Sequence, residues 1–242
     1  MDSSLPALQA VVFDCDGVLV DTEPLHYRAF QEVLGPIGLG HGYERYVREF
    51  IGFDDRDAFI HAFGEAGREL DSAKLEELVR AKESFLQKIV ARGVPTFPGV
   101  VECVRDIAAS ATPLAIASGA LRREVLSFVH SLGLDGLFSV VVAADEVKKS
   151  KPDPETYLVA LERLREKPGL DRLDAGSCIA IEDTPAGIAS ARAAGFFVIG
   201  ITNSFAKDEL LQAQVVIESL SGMNFTGMRE LLTARRTTVE AH

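Results

Sequence analysis

Asp14 and Asp16 stand two residues apart, directly after the apolar run Ala10-Val-Val-Phe13. An apolar run closed by a glycine turn, here at Gly17, reads as a buried strand. In an extended chain residues i and i+2 point the same way, so the two carboxylates are expected on one side of the strand's carboxyl end. Side by side they repel and raise one another's pKa unless a cation sits with them. Mg²⁺ is the common remedy, because it takes hard oxygen ligands and keeps waters and a substrate phosphate. Three more polar clusters sit in the same kind of place. Ser118-Gly119 follows Leu114-Ala-Ile-Ala117, Lys151 comes just beyond Val140-Val-Val-Ala143, and Glu182-Asp183-Thr184 follows Ile179-Ala-Ile181. Metal-binding acids, a hydroxyl with backbone donors and one fixed cation make a kit for phosphoryl transfer.

Each cluster alone has a plainer explanation. Asp14 and Asp16 could be a polar turn, Ser118 a turn residue and Lys151 a solvated charge. Glu182 and Asp183 before Thr-Pro would favour a helix N-terminus, where acids are stabilised by the macrodipole. Their repetition at four strand ends is what argues for a site. In a parallel sheet those ends share one edge, and that edge is where open α/β sheets bind ligands.

The elements that must position these groups are legible. Further strands are expected at Phe197–Ile201 and Val215–Ile217, and the core strands at Pro113–Ala117, Val140–Ala143 and Cys178–Ile181 are nearly continuous apolar runs. Such runs are buried on both faces and mark a parallel sheet. Asp153-Pro154-Glu155 and Thr184-Pro185-Ala186 each place an N-cap followed by Pro at the first helical position. Strand–helix alternation with right-handed crossovers predicts a doubly wound, Rossmann-like α/β core. Residues 21–92 differ: they hold no convincing buried strand. Leu75, Leu78, Val79, Lys82, Phe85, Leu86 and Ile89 recur at helical spacing after Asp71 or Ser72. The expected organisation is a core of residues 1–20 and 93–242 with an inserted α-helical cap at 21–92, placed to act as a lid. Residues from Ala234 onward read as a fraying tail.

Composition bounds the rest. The chain has 242 residues, 47% hydrophobic and 25% charged, as in an ordinary soluble globular protein. A net charge of −11 argues against nucleic acid as a partner. Cys15, Cys103 and Cys178 are scattered and read as buried thiols of a reducing cytosol. No apolar run approaches a membrane span and no secretion signal is evident. The expectation is a cytoplasmic monomer without membrane or nucleic-acid contacts.

Taken together, Asp14-Cys-Asp16-Gly-Val-Leu-Val-Asp21-Thr, Ser118, Lys151-Pro-Asp-Pro and Glu182-Asp183-Thr-Pro-Ala-Gly187 resemble the haloacid dehalogenase superfamily. The helical insert and Glu23-Pro-Leu-His26 resemble its β-phosphoglucomutase-like branch of capped phosphatases and mutases. The resemblance covers about residues 8 to 218. It implies Asp14 as the nucleophile that becomes an aspartyl-phosphate, and Asp16 as general acid and then base. It implies Mg²⁺ held by Asp14, the Asp16 carbonyl and Asp183, with Glu182 ligating directly or through water. Ser118 and Gly119 would bind the phosphoryl oxygens and Lys151 would offset their charge. In the cap, His26 would lie near the substrate, Arg56 would grip a distal phosphate and Lys82 would contact a sugar. Asp21 is expected to hold the hinge or cap the helix that starts near Thr22.

Two chemistries share this plan. The mutase pattern has a second hydroxyl and a lysine just after Ser118, to help hold a distal phosphate; here Ala120 and Leu121 stand instead. Arg122 or Arg123 is left as a substitute. The expected function is therefore a Mg²⁺-dependent phosphatase of a small phosphorylated sugar, with a phosphosugar mutase as the alternative. A non-catalytic binding protein is disfavoured because Asp14 and Asp16 are both present.

Overall fold

The computed structural model describes residues 8–50, 53 and 55–239. The chain divides into two compact units, Met1–Val20 with Pro95–His242, and Asp21–Val94.

The second unit is helical. It contains α1 (Glu23–Leu34), α2 (Tyr43–Glu49), α3 (Asp55–Glu65) and α4 (Ser72–Val90). Pro24 sits in the first turn of α1, where its missing N–H costs nothing. The Asp21 carboxylate accepts from the Glu23 backbone N–H, so it caps this helix from the N-terminal side. Asp71 caps α4, accepting from the Lys74 N–H at 2.7 Å. The apolar stripe of α4 packs Leu75 and Leu78 against Phe30, Leu34, Phe59 and Phe63.

The first unit is built on six parallel strands: β1 (Ala10–Phe13), β2 (Leu114–Ala117), β3 (Phe138–Val142), β4 (Cys178–Glu182), β5 (Phe197–Ile201) and β6 (Val215–Ile217). Their order is β3-β2-β1-β4-β5-β6. The four inner strands are buried along their whole length, which explains their unbroken apolar sequence. β3 begins at Phe138, two residues earlier than its apolar run suggests, because pairing with β2 extends to Leu114 and the Phe138 ring meets Phe13 edge-on. The remaining helices are α5 (Val100–Ala109), α6 (Arg122–Ser131), α7 (Glu155–Arg165), α8 (Pro185–Ala193) and α9 (Phe225–Val239).

Thr184 caps α8 as its sequence predicts, accepting from the Gly187 N–H at 3.0 Å. Asp153 is not the N-cap of α7; the helix starts one residue later, and the Asp153 carboxylate accepts from the Glu155 N–H at 3.1 Å. The expected tail is also revised. α9 continues to Val239, because Met228 and Leu232 are buried one turn apart and extending a formed helix is cheap; residues 240–242 lie outside the described chain. No helix among the described residues is long and apolar enough to cross a membrane.

The strand order reverses at the boundary between β1 and β4. β2 and β3 extend the sheet on one side of β1, while β4, β5 and β6 extend it on the other. A crevice outside the carboxyl ends forms at such a switch point.

Candidate active site

Register brings the acids together. Phe13 pairs with Ile181, and the Asp14 N–H donates to the Ile181 carbonyl at 3.0 Å. Asp14 therefore leaves β1 at the level where Glu182 and Asp183 leave β4. Carboxylate oxygens of Asp14, Glu182 and Asp183 lie within 4.8 Å of one another. On the other side of β1, the Ser118 N–H donates to the Val142 carbonyl at 2.9 Å, aligning β2 and β3 at the same edge.

Lys151 closes this cluster. Its ammonium donates to Asp14 Oδ1 at 2.8 Å, to the Ala117 carbonyl at 2.9 Å and to Glu182 Oε1 at 2.6 Å. All three protons are thus used. Burial alone would push the Lys151 pKa down, but Asp14 and then Glu182 outweigh it and hold the ammonium above its usual range.

Glu182 is completely buried. Its Oε1 accepts from Lys151 and from the Tyr157 hydroxyl at 2.7 Å, while its Oε2 has no hydrogen-bond partner. A side chain at Gly187 would collide with this carboxylate, so glycine at the start of α8 gives it room. Asp183 is also buried; Ser204 donates to its carboxylate, and its Oδ1 has no partner. Gly17 is required twice over, by a φ of +78° and because any Cβ there would strike Asp183. Burial raises both acids, Glu182 to about 7 and Asp183 to about 8, with the Asp14 charge adding to each.

With all three carboxylates ionised, the one ammonium would leave a charge of −2 among buried groups, and the raised Glu182 and Asp183 values reflect burial and that unmet charge. Two buried carboxylate oxygens, Glu182 Oε2 and Asp183 Oδ1, lack partners in a medium where an unpaired polar atom is costly. Hard anionic oxygens in a close group with that residual charge suit a small divalent cation such as Mg²⁺. Such an ion would return both raised pKa values toward the ordinary carboxylate range.

Asp16 lies beyond the end of the strand, in a tight turn. β1 ends at Phe13, and the chain turns so tightly that Cys15 O accepts from Leu19 and Val20. The Asp16 carboxylate is half-buried and does not join the group of three acids. Its loop is pinned by Asn203, whose Nδ2 donates to the Gly17 carbonyl at 2.7 Å. Ser118 is buried and its Oγ accepts from the Ala120 N–H at 3.0 Å, leaving the hydroxyl proton for another acceptor. Gly119 is exposed, with open space where a Cβ would stand. Cys15 is buried, and burial followed by Asp16 and Asp14 keeps its thiol protonated far above the usual range. Cys103 and Cys178 are likewise buried and free.

In the helical unit, His26 and Lys82 come together and Arg56 does not join them. The Lys82 ammonium, 1% exposed, lies 2.8 Å from His26 Nδ1 and 2.6 Å from Asp55 Oδ1. Arg56 is exposed on α3 and pairs with Glu76 of α4. The residue that meets Lys82 is its neighbour Asp55, which the sequence pattern does not single out. Gly52 and Asp54 of the Gly52-Phe-Asp-Asp-Arg56 stretch lie outside the described residues.

Tyr157, Asn203 and Ser204 also support the acidic cluster without a motif to announce them. Gly187 was visible as the end of Thr184-Pro-Ala-Gly187, though its reason, the Glu182 carboxylate, was not.

Residues 11–201 match the family model of haloacid dehalogenase-like hydrolases. The chain is 32% identical over 198 residues to a phosphorylated carbohydrates phosphatase of Thermotoga maritima, covering 81% of this chain and 87% of that protein. It is 33% identical over 234 residues to protein CbbY of Rhodobacter capsulatus, covering 93% and 99%. Its fold is that of a β-phosphoglucomutase from Clostridium difficile, with a TM-score of 0.73 at 20% identity over 95% of this chain and 99% of that one.

Proposed function

Because the chain belongs to the haloacid dehalogenase-like hydrolase family, we propose that it hydrolyses the phosphomonoester of a small phosphorylated sugar or related metabolite. The reaction uses Mg²⁺ and passes through an aspartyl-phosphate on Asp14. The observation that carries this reading is the close group of Asp14, Glu182 and Asp183 with Lys151 on Asp14. The phosphatase name of the Thermotoga maritima relative supports the substrate class.

Asp14 attacks phosphorus, and the phosphorus–oxygen bond to the sugar breaks. Asp16, half-buried beside it in sequence and outside the acidic group, protonates the departing sugar oxygen. It then takes a proton from water as that water attacks the aspartyl-phosphate, releasing phosphate and restoring Asp14. Ser118 donates its free hydroxyl proton to a phosphoryl oxygen, and Lys151 offsets negative charge on the nucleophile and the transferring group. Asp14, Asp183 and the Asp16 carbonyl, with Glu182 directly or through water, would hold the Mg²⁺. When bound, that ion neutralises charge between an anionic nucleophile and an anionic phosphate.

Hydrolysis is favoured over intramolecular transfer because a mutase must hold a second phosphate. Ala120 and Leu121 carry no charge or hydroxyl. The Arg122 guanidinium is engaged with Glu146 at 2.9 Å and with the Val141 carbonyl at 3.0 Å. Lys82 already has a carboxylate partner in Asp55.

The test is a panel of sugar monophosphates and bisphosphates, scored for phosphate release and for isomer formation, with Mg²⁺ and with chelator. Phosphate release that requires Mg²⁺ is expected. Isomer formation faster than release would overturn the hydrolase reading, and full activity in chelator would overturn the metal.

A further inference from the structure

We propose that Tyr157 is a positioning residue for the divalent ion: its hydroxyl orients the Glu182 carboxylate so that Oε2 remains available to the metal or to a water on it. The proposal rests on the metal-dependent reading above.

Tyr157 lies on α7, which packs on β2 and β3, and it is fully buried. Its hydroxyl donates to Glu182 Oε1 at 2.7 Å, and Lys151 donates to the same oxygen at 2.6 Å. The other oxygen, Oε2, is buried without a partner. A carboxylate on a flexible stem can exchange its two oxygens by rotation. Two donors converging on one oxygen, with the Gly187 backbone close against the carboxylate, define which oxygen is left over. Lys151 gives this oxygen one proton, its other two being held by Asp14 and the Ala117 carbonyl, and the Tyr157 hydroxyl supplies the second.

Packing is the competing explanation for a large buried aromatic. The ring lies 5.5 Å from the Phe196 ring, and the Lys151 ammonium sits 5.3 Å from its centroid. A phenylalanine would keep both contacts and lose only the hydroxyl. That makes Tyr157→Phe a clean separation of positioning from packing. Partners behind a metal ligand set its orientation, and their loss costs roughly 10- to 100-fold in metal affinity.

The experiment titrates Mn²⁺, a paramagnetic substitute for Mg²⁺, into substrate-free full-length protein and reads free Mn²⁺ by electron paramagnetic resonance. Tyr157→Phe is expected to weaken Mn²⁺ binding about tenfold or more, while turnover at saturating Mg²⁺ stays within about threefold of wild type. The same substitution placed on Glu182→Gln is expected to add little further loss, because it acts through Glu182. Mn²⁺ affinity within twofold of wild type would overturn the proposal, as would an equal loss in the Glu182→Gln background. A turnover defect that saturating metal does not repair would also overturn it. Wild-type protein that binds no Mn²⁺ would overturn the metal-dependent reading and this proposal with it. Metal-binding wild type with an unaffected Tyr157→Phe would overturn this proposal alone.

Discussion

The ammonium of Lys151 lies 2.8 Å from Oδ1 of Asp14, a residue 137 positions earlier in the chain. Both side chains are nearly buried, and the same nitrogen also holds Glu182. Removing one partner from such a group strands the others. Lys151→Met is expected to lower the unfolding free energy in chelator by about 3–5 kcal/mol, because the buried carboxylates lose the cation that pairs with them. Turnover should fall about 100- to 1,000-fold. Urea unfolding in chelator and steady-state phosphate release check the two effects. Unchanged stability in chelator would mean that the cluster does not depend on Lys151 for charge balance.

Asp14→Asn is nearly isosteric but cannot form an acyl phosphate. Turnover should drop by at least about a thousandfold while the far-ultraviolet spectrum stays that of the wild type. Trapping ³²P from labelled substrate on wild-type protein, and its absence on the variant, checks the covalent step. Residual turnover well above that level would point to direct attack by water.

His26 supplies a pH dependence of stability. Burial, and after it the Lys82 charge, pushes its pKa from 6.5 down to about 3, so the folded protein holds it neutral. A folded-state pKa below the unfolded one gives stability that is present above pH 6.5 and lost as pH falls toward 3. The loss approaches about 1.4 kcal/mol per pH unit for one group. Wild type should therefore exceed His26→Asn in stability at neutral pH, with the difference shrinking from pH 6.5 to pH 4. Denaturation curves across that range measure it, and a flat difference would show that His26 is not held neutral by the fold.

Within the helical unit, Lys82 with His26 and Asp55 forms a buried polar group, whereas Arg56 sits in an exposed ion pair. A lost hydrogen bond to a charged group costs about 1.5–3 kcal/mol, whereas the exposed pair of Arg56 with Glu76 is screened by solvent and contributes little. Lys82→Met should lower the unfolding free energy by about 1.5–3 kcal/mol, because His26 and Asp55 lose their shared partner. Asp55→Asn removes the carboxylate charge facing Lys82 and should act in the same direction. Arg56→Ala should leave stability nearly unchanged. Urea unfolding of the three variants checks this, and strong dependence on Arg56 or indifference to Lys82 would reverse it.

The sequence by itself determined the sheet, its parallel sense and most of the acidic cluster. Each of Asp14, Ser118 and Glu182 directly follows an apolar run too continuous to be anything but a buried strand, and parallel strands put their carboxyl ends on one edge. Local spacing carries less weight where the chain leaves that regular frame. The two-residue alternation that relates Asp16 to Asp14 holds while the backbone stays extended, and the strand stops at Phe13. Tyr157 has no local mark, since its partner Glu182 is 25 residues away and its direction depends on how α7 packs on β2 and β3. The choice between Asp55 and Arg56 was equally hidden. Adjacent residues on a helix point about 100° apart, so the rotation of α3 decides which one meets Lys82. That rotation is set by burying Ala58, Phe59, Ala62 and Phe63 against the neighbouring helices, a packing condition that only the tertiary structure imposes.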